Sequence, residues 1–130
     1  MPFERDESDL VEVYYEKGWT DGLPVVPPTR EKVDALLRAG GLPADDVLGE
    51  IAPNYGAATG EKVAINAVMA GCAPEHMPLV VSGVRIMADK EFNLHAIGGM
   101  TDSASPLVIV NGPARESGRI NCGNGVFGNG

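Results

Sequence analysis

A chain of 130 residues with 44% hydrophobic and 22% charged content suits one domain with one core and argues against disorder. The net charge of −8, without any Lys/Arg cluster, excludes the counterion-release chemistry of nucleic-acid binding and the basic face of a peripheral membrane protein. The start MPFERDESDL reads as no signal peptide, no apolar stretch is long enough to cross a bilayer, and two cysteines make no disulfide framework, so a cytoplasmic location is expected.

Residues 7–17, ESDLVEVYYEK, read as a helix, with Ser8 at the cap, acidic residues in the first turn and Leu10, Val13 and Tyr14 on one face. Gly18 stops it, and the prolines that follow impose a stiff, extended arm at residues 22–28. Thr29 caps a second helix, REKVDALLRA, which closes on Gly40-Gly41. A short strand is expected near Val47–Ile51, then a loop through NYGAATG. A third helix opens at Thr59 or Gly60, its small residues suited to burial.

After Gly71 the stretch CAPEHMPLVVSGVRIMADK starts a fourth helix, with Pro74 and Pro78 tolerated in its first turn. EFNLHAIGGMTD reads as a strand ending at Gly98-Gly99. PLVIVNGP reads as another, because Leu107–Val110 is continuously apolar, as in a strand covered on both faces. The expected fold is one α/β domain over residues 1–130, or the N-terminal portion of a larger α/β unit. It has about three strands and four helices, and a sheet edge left for another chain to complete. A glycine-rich loop at 118–130 closes the sequence.

The strongest chemical candidate is GCAPEH. Cys72 falls just before a helix start, where backbone N–H groups and the helix dipole stabilise an anion, and His76 lies one turn on, placed to exchange a proton with a thiol. The bland reading makes Cys72 a small buried hydrophobe and His76 an exposed residue. In VIVNGPARESG, Asn111 offers a donor and an acceptor at a strand end, and Arg115 suits a carboxylate; the alternative is a plain turn. The terminal NCGNGVFGNG offers Gly123 and Gly125 as an anion nest, with Cys122 as a second thiol. Gly123, Gly125 and Gly128 have the G-x-G-x-x-G spacing but no helix after them within this sequence. Trp19 and Asp21, beside the proline arm, are candidates to wall a substrate pocket or clasp a partner. His95 reads as structural. No metal-ligand spacing occurs, and no cofactor is identified.

Together, DGLPVVPPT, KVAINAVMAGCAPEHMPLVVSGV and SPLVIVNGP resemble a bacterial family related to or found alongside UGSC-type selenol or thiol proteins, which carry a Sec/Cys-Gly-Ser-Cys motif. The likeness covers most of residues 18–130. It implies longer members that continue past the glycine loop, a family cysteine at Cys72, and no regular counterpart for Cys122. The resulting expectation is a subunit or processed fragment of an enzyme acting on a small molecule, by thiol chemistry or through an N-terminal nucleophile on another chain. That second chain would continue after Gly130, as a separate gene product or a cleavage product. The alternatives are a non-catalytic structural subunit and a redox protein using a Cys72–Cys122 disulfide.

Overall fold

The computed structural model describes residues 7–101 and 104–122, and these form a mixed helix and strand fold. In chain order the elements are α1 (Glu7–Glu16), α2 (Arg30–Gly40), β1 (Val47–Ile51), β2 (Gly56–Thr59), α3 (Gly60–Met69), α4 (Met77–Ala88), α5 (Leu94–Gly99) and α6 (Pro113–Ser117). Single 3₁₀ turns at Pro74–His76 and Lys90–Phe92 precede α4 and α5.

Helices α2 and α3 begin alike: Thr29 and Thr59 are extended residues whose hydroxyls accept from the N–H groups of Lys32 and Lys62. Val33, Leu36 and Leu37 repeat at helical spacing on α2, and Val63, Ala64, Ala67 and Val68 do so on α3. These seven residues are buried with Met77 and Val81 of α4, Leu42 and Ala58. Met77 is fully enclosed, and burying a side chain of that size contributes about 1.5–3 kcal/mol. Across the surface above, Arg30 bridges Asp34 at 3.0 Å and Glu61 at 2.9 Å, tying the starts of α2 and α3 together. Exposed as these pairs are, each contributes at most about 1 kcal/mol.

Three expectations from sequence are corrected. The stretch NYGAATG is no plain loop: its second half forms β2, which pairs antiparallel with β1 as a hairpin, Glu50 opposite Ala57 and Ile51 opposite Gly56. This is the one sheet among the described residues, so a three-stranded sheet with a helical crossover is not formed.

Where a strand is expected over EFNLHAIGGMTD, a 3₁₀ turn at Lys90–Phe92 and α5 at Leu94–Gly99 stand instead. Asp89 caps the 3₁₀ turn by accepting from the Glu91 N–H at 2.8 Å. Asn93, at φ 53°, then opens α5 by accepting at its carbonyl from the Ala96 and Ile97 N–H groups. Local capping outweighs alternation there.

Third, Leu107–Val110 runs without turn or bend, but no backbone hydrogen bond joins residues 104–111 to another described segment. The side chains of Leu107, Val108 and Ile109 stay 69%, 68% and 74% exposed. A run of this kind needs cover on both faces, and the described residues offer only α4 on one side. With the shorter helices α5 and α6, six helices stand among the described residues where about four were expected.

Candidate functional site

Site residues converge where the start of α4 meets α6. Gly71 ends the turn after α3, and the Cys72 N–H closes back on the Ala67 carbonyl at 2.9 Å, leaving Cys72 half-buried against the core. His76 follows in the 3₁₀ turn. Its Nδ1 accepts from the Ala73 N–H at 3.1 Å, and its Nε2 lies 2.7 Å from the Gly118 carbonyl. The first bond requires an unprotonated Nδ1, so the hydrogen sits on Nε2 and donates to Gly118. Both ring nitrogens are therefore engaged by backbone, and the ring latches the elbow before α4 to the end of α6. In this arrangement His76 presents no free nitrogen to Cys72.

At Gly118 an added Cβ would meet the Ala114 carbonyl oxygen at 3.0 Å, a tight contact, and His76 Cδ2 at 3.4 Å, an ordinary van der Waals distance, so the latch packs closely on this position. Beyond it the chain turns through Arg119 at φ 50°, the Ile120 N–H returns to the Arg115 carbonyl at 2.9 Å, and Cys122 comes back beside α6. Arg115 Nη1 donates to Cys122 Sγ at 3.3 Å, and its other amino group lies 3.6 Å from Glu116. A guanidinium thus faces an exposed sulfur.

Asn111 lies four residues before Arg115, at the end of a groove of about 350 Å³ between the outer face of α4 and residues 106–111. Leu79, Ile86, Met87 and Phe92 line one wall, the Leu107–Val110 run lines the other, and Ser82 and Asn111 are the polar residues among them. No charged side chain enters the lining. The lining ends at Asn111 and Ala114; Arg115 follows Ala114 in sequence, but neither Arg115 nor Cys122 lines the groove.

Trp19 and Asp21 fall elsewhere. Trp19 packs on Tyr14, with ring centroids 5.4 Å apart, under the Lys17 ammonium at 4.7 Å. Asp21 Oδ1 accepts from the Leu23 N–H at 3.2 Å, which shapes the entry to the proline arm. The Val26 N–H pins that arm to the Met69 carbonyl at 3.1 Å. Gly123 and Gly125, with most of the terminal glycine loop, lie outside the described residues.

No group of three or more His, Cys, Asp or Glu residues is placed to hold a metal among the described residues, and no described helix is long and apolar enough to cross a membrane. Sequence reasoning missed the latch partner Gly118, 42 residues from His76, and the wall formed by α4. Comparison of the chain with family models, curated proteins and solved structures gives no match.

Proposed function

We propose that this chain is one subunit of a cytoplasmic two-chain enzyme acting on a small molecule, with Leu107–Asn111 as the seam to the second chain. The observation that carries the reading is the run Leu107, Val108, Ile109: a strand-forming sequence left 69%, 68% and 74% exposed and without a ladder partner among the described residues. An added strand would satisfy its N–H and C=O groups and roof the groove over α4. The resemblance to a family related to or found alongside UGSC-type proteins accords with thiol chemistry at such a seam.

Within this proposal the roofed groove holds the apolar part of the substrate, and Asn111 orients it through its amide. Cys122 supplies the nucleophile. Its sulfur adds to a carbonyl carbon of the substrate, the C=O π pair moves onto the carbonyl oxygen, and that oxygen takes up, through water, the proton the thiol gives up, while Arg115 holds the sulfur in place. Cys72 and His76 keep structural roles, because one is packed on the core and the other is engaged at both nitrogens. The same two observations favour a second reading, in which the nucleophile belongs to the partner chain and this subunit supplies only walls and orienting groups.

Alkylation separates the two. With iodoacetamide, Cys122 in the native chain should react about tenfold faster than in the urea-unfolded chain, and faster than Cys72; Arg115→Gln should remove most of the advantage. If Cys122 reacts no faster folded than unfolded, thiol catalysis by this subunit is wrong and the non-catalytic role stands.

A further inference from the structure

A second cleft, of about 300 Å³, lies on another part of the molecule, between the β1–β2 turn, the end of α4 and the start of α5. Its volume is at the lower bound for small-ligand sites, about 300 Å³. One wall is aromatic: the Tyr55 and His95 rings lie nearly parallel, 19° apart, with centroids separated by 6.0 Å. Both owe their positions to left-handed backbone. Tyr55 itself sits at φ 52°, uncommon for a bulky residue, and Asn93 at φ 53° sets the start of α5 and so the direction of His95. Ala52, Met87 and Ala88 supply apolar lining.

Glu50, Asp89 and Lys90 also line the cleft. Among the described residues the side chains of Glu50 and Lys90 make no hydrogen bond or ion pair, whereas one oxygen of Asp89 is taken by the Glu91 N–H. Two carboxylates against one ammonium leave the cleft negative, within a chain of net charge −8.

We propose that this cleft binds a small planar organic cation of the amidinium or guanidinium class. The cation lies against the electron-rich face of the Tyr55 ring and its N–H groups reach the Glu50 carboxylate. Ring faces attract cations, and a planar N–H fork matches a carboxylate bidentately. The bulk charge of the protein works in the same direction, since an anion would meet Glu50 and Asp89 first. This site is independent of the seam and of the thiol chemistry proposed there.

The sequence holds two histidines, His76 locked by backbone at both nitrogens and His95 in the cleft wall, which makes a clean reporter. Benzamidine is titrated into the full chain while the imidazole proton resonances are followed. The proposal expects saturable movement of the His95 signals, with a Kd on the order of 1 mM, while those of His76 stay fixed. Benzoate and benzyl alcohol should move neither. Glu50→Gln should weaken benzamidine at least about threefold, and so should Tyr55→Asn, which removes the ring yet keeps a residue tolerant of the left-handed backbone. The proposal is overturned if the His95 signals do not move, if benzoate moves them equally, or if both variants bind as the parent does.

Discussion

Gly60→Ala is expected to destabilise the fold by about 3 kcal/mol or more, a large part of the roughly 5–15 kcal/mol that holds a domain together. Gly60 is the first residue of α3 and is buried. A Cβ there would lie 2.1 Å from the Pro43 carbonyl oxygen and 2.9 Å from Leu42 Cγ. Relief by moving the neighbour is blocked, because the same loop is tied to the helix start: the Gly60 N–H donates to the Asp46 carbonyl and the Glu61 N–H to the Ala44 carbonyl, both at 2.8 Å. Pushing Pro43 away breaks those bonds and opens the junction between α2 and α3 where Leu42 is buried. Urea unfolding monitored by circular dichroism should show a much lower midpoint with an unchanged slope. Gly56→Ala is the control, since nothing lies within 4 Å of its added carbon; it should lose no stability. Equal midpoints for the two variants would show that the loop and helix do not meet as described.

The second large effect separates stability from assembly. Ile109→Asp replaces a side chain that is 74% exposed in the isolated chain, so the unfolding free energy should change by no more than about 0.5 kcal/mol. In the proposed two-chain unit the same position is desolvated within the added sheet and stacked over the uncharged groove. An unpaired carboxylate there should weaken association by more than about 2 kcal/mol, at least about thirtyfold. Comparing the fraction of partner-bound chain for parent and variant at matched concentrations measures this. A variant that unfolds early would place Ile109 in this chain's own core, and one that assembles normally would move the seam elsewhere.

Much of the framework was legible because its signals are local. Thr29 and Thr59 announce helix starts, Gly40-Gly41 announces an end, and the small residues of α3 announce its burial. The failures share a cause. EFNLHAIG has the alternation of a strand, but the Asp89 cap and the left-handed Asn93 set the backbone before any sheet partner is available. Leu107–Val110 has strand composition, yet composition carries no information on whether neighbours exist to pair with it. The candidate site was legible as residue types and not as pairings. Sequence spacing pairs His76 with Cys72, four residues away, whereas its ring bonds to Gly118, just past the end of α6. Sequence assigns Arg115 to a substrate carboxylate and gives no hint that its guanidinium faces the Cys122 sulfur.

The central claim, that this chain is half of a two-chain unit joined at Leu107–Asn111, is tested most directly by mass spectrometry on the protein taken from its native cells. Intact mass is measured under denaturing conditions beside the mass of the native assembly. The account predicts a second, distinct polypeptide in stoichiometric amount, released by denaturation and absent when Ile109 is replaced by Asp; its first residue then separates self-processing (Thr, Ser or Cys) from a second gene (Met). A native species of 13.6 kDa alone would contradict it.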